Sequence, residues 1–236
     1  MHNIKAVAYG IALGFTKSRE TVINFFLFPI MALVMTLMIA YPDDYTPNYM
    51  FVTMFAMMFA GMILITMTAG TIAGAKEDKS LRLMTMAGVK PGQFLTGSSI
   101  VLMGLGLFTT GLFVALLAYF EGVTIATAST FVLGMGLSLL ASIFLGATIG
   151  IVAKNTQSAT ATALPIAMVI GLAPTFAMFN DTMADIFAPL YSMQMSEIVG
   201  NLGTFPTQSL LIIGANIIVL GAIFIVTYQR RGLKGL

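Results

Sequence analysis

Apolar residues in this chain gather into six long runs from which charge is missing. The runs extend from Val22 to Ala40, Met50 to Ala75, Phe94 to Phe120, Ala126 to Ala153, Ser158 to Phe179 and Ser209 to Tyr228, and none contains Asp, Glu, Lys or Arg. About 20 apolar residues in a helix cross the hydrocarbon of a bilayer. A charge at the middle of such a helix costs about 2.5–3.5 kcal/mol on insertion scales. Each run therefore predicts one span, and the charges belong to the breaks. The fold class this predicts is all-α, a polytopic membrane protein of one domain over residues 1–236.

Three segments outside the runs also carry a pattern. Ile4, Val7, Ala8, Ile11 and Phe15 recur at helical spacing, with Lys5, Lys17 and Arg19 placed for lipid headgroups. Residues 1–20 thus predict an interfacial helix leading into the first span. A cleaved leader is disfavoured, because Lys17 and Arg19 stand where small residues should precede the cut. Residues 76–93 and 180–208 form the two connections longer than a turn.

The flanking charges fix an orientation. With the N-terminus in the cytoplasm, six spans put Lys5, Lys17, Arg19, Lys76, Lys79, Arg82, Lys90, Lys154, Arg230, Arg231 and Lys234 on that side, which is all 11 basic residues. The other side receives Asp43, Asp44, Glu121, Asp181, Asp185 and Glu197. Basic residues accumulate in cytoplasmic loops, so both termini are expected in the cytoplasm of a multi-pass cell-membrane protein.

Composition narrows the chemistry. Charged residues make up 8% of the chain against roughly 25% in soluble domains, and hydrophobic residues 58%. There is no Cys, and the single His is His2, near the chain terminus. Cysteine-based metal sites and nucleophiles are excluded, and a membrane-embedded enzyme has almost nothing to work with. A net charge of +2 offers no reason to expect a nucleic-acid partner. Ion-coupled carriers or channels need ionisable groups inside their spans, and these spans hold none. An accessory subunit that anchors without transporting is a further alternative.

The segment Lys76 to Gln93 predicts a short surface helix. Glu77 and Asp78 stand near its start, Ser80 or Asp78 can cap it, Gly88 is a natural stop and Pro91 prevents continuation. Leu81, Met84 and Gly88 share one face, with Leu83 and Ala87 beside it. Such a helix either docks into a partner or lies as a connector against headgroups.

From Glu77 to Ser98 the chain resembles the first intracellular loop of permeases in the type-2 family of ATP-binding-cassette exporters. The resemblance rests on Glu77-Asp78-Lys79, Leu81-Arg82-Leu83-Met84, Ala87-Gly88-Val89 and Phe94-Leu95-Thr96-Gly97. The family often has Pro in place of Gly88 and Lys or Arg in place of Ser98. A second stretch of resemblance is Pro165, Gly171 and Pro174 followed by Pro189-Leu190-Tyr191, where the family places two short re-entrant helices outside the cell. Met183, Ile186, Phe187 and Leu190 recur at helical spacing there, and Tyr191, Met195 and Ile198 begin a second amphipathic piece.

The resemblance implies a half-transporter of a bacterial plasma membrane, paired with a second permease chain as a homodimer or heterodimer. A phosphate-binding GxxxxGK[ST] loop is absent from the sequence, so no cofactor is assigned to this chain. ATP and Mg would be bound by a separate ATPase subunit, with Glu77, Asp78, Lys79, Leu81, Arg82 and Met84 as its contacts. Asn24, Phe28, Phe55, Phe59 and Thr66 are the candidate cavity lining, and Phe187, Pro189 and Tyr191 the candidate external cap. Gly70-x-x-x-Gly74 and Gly146-x-x-x-Gly150 predict close helix packing within the chain. Abundant Met and Phe with no Trp favour an amphiphilic or hydrophobic cargo, such as a drug, antimicrobial peptide or lipid-like molecule.

Overall fold

The computed structural model describes residues 2–39, 50–201 and 206–231. Ten helices are present among these residues, and no strand: α1 (His2–Lys17), α2 (Arg19–Met38), α3 (Met50–Glu77), α4 (Ser80–Met86), α5 (Pro91–Glu121), α6 (Ile125–Val152), α7 (Thr156–Ala177), α8 (Asp181–Phe187), α9 (Tyr191–Gly200) and α10 (Thr207–Arg231). Six of them, α2, α3, α5, α6, α7 and α10, are long and apolar enough to cross a membrane. They correspond one for one to the six uncharged runs. Asp43, Asp44 and Lys234 lie outside the described residues, as do Ala40 and residues 202–205 of the long second connection. The succession of antiparallel helices gathers the described Lys and Arg residues at one end of the bundle, called here the basic end. The other end, which carries Asp181, Asp185 and Glu197, is called the acidic end.

Local chemistry sets the breaks. Ser18 separates α1 from α2, its hydroxyl accepting the Thr21 N–H at 3.4 Å. Asn155 starts α7 by accepting the Ser158 N–H at 2.8 Å, while the Ser158 hydroxyl accepts the Asn155 N–H at 3.2 Å. Each bond satisfies a backbone donor that a helix start leaves open. Helix α1 is not free at the surface: Val7 is buried against α5, and a methyl group on Gly97 would stand 2.9 Å from the Val7 side chain.

Helix α3 is the spine. It packs against α2, α5, α6, α7 and α9, and Val52, Ala56, Ala60, Leu64, Ile65 and Ala69 along it are fully buried. In lipid, helix association depends on close packing rather than on a hydrophobic drive. Gly146 and Gly150 of α6 provide that closeness. A methyl on Gly146 would stand 2.5 Å from the Ile65 carbonyl oxygen, and one on Gly150 2.9 Å from the Ala69 carbonyl oxygen. Gly61 meets Gly171 of α7 in the same way, 2.7 Å separating an added methyl from the opposing Cα. The pair Gly70 and Gly74 behaves differently from the sequence expectation: a side chain at Gly70 would meet nothing within 4 Å, and one at Gly74 only the Thr156 hydroxyl at 3.4 Å.

At the acidic end, α8 and α9 form a hairpin that enters the bundle. The Pro189 carbonyl at its corner accepts a 2.8 Å bond from Asn216 Nδ2. Asn216 lies about 13 Å along α10 from Thr207 at the helical rise. Tyr191, 1% exposed, donates its hydroxyl proton to Ser142 Oγ at 2.7 Å. That direction is forced, because the one proton of Ser142 goes to the Ala60 carbonyl at 2.6 Å. Burial pushes the Tyr191 phenol's pKa up and keeps it a neutral donor. Ala60 is about 15 Å along α3 from Met50, so Tyr191 is anchored well inside the bundle.

The α3–α6 contact is the test of this packing. Gly146→Ala should destabilise the detergent-solubilised protein by about 1–3 kcal/mol, the usual cost of overpacking, and lower its melting temperature. Gly104→Ala, whose methyl would meet nothing within 4 Å, should leave it unchanged.

Candidate functional site at the basic end

The residues that single out the basic end follow directly from how α3 stops. Its last turn carries Lys76 and Glu77, so these belong to the span helix and not to the start of the surface helix, as the sequence suggested. The two side chains reach the turn between α6 and α7. Lys76 Nζ donates to the carbonyls of Ile151 (2.9 Å), Gly150 (3.3 Å) and Ala153 at the end of α6. Glu77 Oε2 accepts the Thr156 N–H at 2.8 Å at the start of α7, and the Thr156 hydroxyl bonds the same carboxylate. A helix C-terminus favours a cation and an N-terminus an anion. Two consecutive residues thus clamp both ends of one interhelical turn.

The chain then bends. Asp78 closes α3 by bonding the Gly74 carbonyl at 2.9 Å, and Lys79 adopts φ 55° as the residue before α4. A left-handed conformation at a non-glycine residue costs of order 1 kcal/mol, so the surroundings hold this elbow. Neither expected cap is used for α4. Lys79 occupies the position, no side chain caps it, and the Ser80 hydroxyl turns back to the Ala75 carbonyl at 3.2 Å. The far end is as expected: Gly88, at φ 85°, donates to Thr85 at 3.0 Å while Val89 donates to Met84 at 2.9 Å. These two bonds are a Schellman stop.

Only one side of α4 is free. Leu81 is 1% exposed, buried with Val7, Ile72, Phe94, Leu95 and Ile151, and Met84 is half-buried on the same cluster. Leu81, expected at the partner surface, is therefore a packing residue. Arg82, Leu83 (62% exposed) and Met86 (69% exposed) look outward, with Lys79 beside them. Leu83 and Met86 are the members of this face that sequence reasoning left out of its contact set. A seven-residue helix with apolar residues on both sides carries no periodicity signal that distinguishes inside from outside.

Beside α4, a cleft of about 840 Å³ opens between α1, α2, α3 and α7. Asn24 and Thr66, two of the expected cavity residues, line it. The other three do not. Phe59 is fully buried, its ring 5.9 Å from Phe25, 6.3 Å from Phe28 and 6.0 Å from Phe113, and Phe55 joins this aromatic core through Phe28 at 6.2 Å. They pack α2, α3 and α5 together. A smaller pocket of about 260 Å³ lies at the acidic end, walled by Met50, Met54, Met57 and Met178. Of the expected cap residues, Tyr191 is the buried anchor, Phe187 is half-buried and Pro189 stands exposed at the hairpin corner.

Comparison with known proteins accords with this arrangement. Residues 40–228 match the family described as ABC-2 family transporter protein. No curated protein matches the chain. The matched residues cover four of the six candidate spans whole, most of α10, α4 and the α8–α9 hairpin. Well over half of the sequence is included, and the chain is a permease subunit belonging to the ABC-2 family of transporters.

Proposed function

We propose that this permease exports an amphiphilic or hydrophobic cargo, driven by ATP that a separate ATPase subunit binds with Mg and hydrolyses. The observation that carries the reading is the outward face of α4, where Arg82, Leu83 and Met86 are exposed on a helix whose other side is locked into the bundle. Two large apolar side chains at a water-facing tip gain stability by burial against a partner. Arg82 beside them supplies bidentate hydrogen bonding to a carboxylate on that partner. Lys79 and Asp78 flank the contact.

The clamp gives such a contact something to move. A push on α4 acts through the Lys79 elbow on the end of α3. Lys76 and Glu77 pass it to α6 and α7, the two helices that pack most extensively on α3. A second permease chain would complete a transport path, with the basic end and both termini facing the cytoplasm of the cell that makes it. The Met-walled pocket and the hairpin would then face outside, the hairpin covering the path.

Three results test the reading. In a complex purified with its ATPase, Leu83→Asp should weaken association at least about tenfold, the loss of one well-packed anchor, whereas Leu81→Asp should reduce the yield of folded permease. An intact complex carrying Leu83→Asp and Arg82→Glu with unaltered hydrolysis would remove α4 as the docking element. Lys76→Ala leaves carbonyls at the end of α6 without a partner, so it should cost about 1–3 kcal/mol in melting experiments and lower export more than hydrolysis. Because the chain lacks Cys, single substitutions Arg82→Cys and Glu197→Cys report sidedness. An impermeant maleimide should label the second in intact cells and the first only after lysis.

A further inference from the structure

The cleft beside α4 has a chemical bias that its size alone does not show. Its hydroxyl protons are largely spent on the helices' own carbonyls. Thr66 donates to Met62 and Ile63 at 3.0 Å, Thr71 to Met67 at 2.7 Å, Thr160 to Thr156 at 3.0 Å and Ser80 to Ala75 at 3.2 Å. What these four present to an occupant is oxygen lone pairs. The only lining side chain with N–H donors is Asn24, and no Lys or Arg lines the cleft. Lys76, the nearest basic residue on α3, has its ammonium committed to α6. The one charged lining residue is Asp78, exposed at the mouth. No basic side chain among the described residues pairs with it.

Much of the remaining wall is apolar, Phe15, Ile63, Met67 and Leu164 among it. From Asp78 back to Ile63 the cleft follows α3 for about 22 Å. A volume near 840 Å³ falls within the range of about 300–1,000 Å³ for small-molecule sites. A site of this kind accepts hydrogen bonds and attracts positive charge at one end, and is greasy at the other. An anionic amphiphile would meet the Asp78 carboxylate, with donors only from Asn24 and the Ser18 and Thr21 hydroxyls where α1 meets α2.

We infer that this cleft is an entry site for lipophilic cations, molecules with an apolar body and a positively charged or N–H-rich head that rests against Asp78 and the row of threonine oxygens. The inference deepens the export reading and rests on it for its physiological sense, but the binding itself requires no ATPase.

The experiment uses the full chain in phosphatidylcholine nanodiscs with Gly70→Cys as its only cysteine. A side chain at Gly70 meets nothing within 4 Å, and Gly70 lines the cleft. The rate of maleimide alkylation is measured with tetraphenylphosphonium or tetraphenylborate, two ions of similar shape and opposite charge. Saturating phosphonium should slow alkylation at least about fivefold and the borate should not. Adding Asp78→Asn should raise the half-protecting phosphonium concentration by up to about fivefold, the upper end for a solvent-exposed charge pair. A parallel variant, Thr160→Cys, repeats the measurement should Gly70→Cys fail to fold. Equal protection by both ions, protection unaffected by Asp78→Asn, or the same slowing at the cleft-remote control Gly104→Cys would each overturn the proposal. So would absence of protection in both cleft variants. None of these outcomes bears on docking of the ATPase, which the Leu83→Asp complex tests separately.

Discussion

A helix end immersed in or near hydrocarbon leaves backbone groups that nothing but protein can satisfy, and this molecule meets that constraint most densely at the last turn of α3. Lys76 takes up carbonyls at the end of α6, Glu77 takes an N–H at the start of α7, and Asp78 and Lys79 turn the chain into α4. One short stretch therefore sets where two spans meet the surface and where the surface helix begins. The close approach of α6 through Gly146 and Gly150 gives that stretch a fixed target. Were α6 held off by side chains at those positions, the Lys76 ammonium would not reach its carbonyls.

The spans were legible because the physics that selects them is one-dimensional. A charge in a span is costly wherever the neighbours lie, so uncharged runs read directly as helices, and their breaks fell within a few residues of the ends of α2 to α10. Side-chain roles were less legible, because they depend on contacts far away in the chain. Glu77 reads as the head of a surface helix, since its partner Thr156 lies 79 residues away and leaves no local trace. Leu81 and Leu83 are chemically the same residue two positions apart, and only the cluster of Val7, Phe94 and Ile151 determines which is buried. Phe59 looked available for a cavity because aromatic residues serve cavities and cores equally well. Tyr191 gave a better signal: a phenol in an apolar segment needs a partner when buried, and Ser142 supplies it.

The two ends of the bundle do different physical work. At the acidic end, polar groups reach inward, the hairpin corner being tied to Asn216 and Tyr191 to Ser142. At the basic end they are arranged around an opening. Transport between two such ends needs a sealed side and an accessible side.

Helix α4 is only seven residues long, about 10 Å end to end. Ser80 and Met84 on one side of it border the cleft, while Arg82, Leu83 and Met86 on the other meet bulk solvent. Whatever sits in the cleft and whatever grips the tip are thus separated by the thickness of a single helix. Linkage then makes the relation mutual: to whatever degree an occupant tightens or loosens the grip, the grip alters the occupant's affinity by an equal factor.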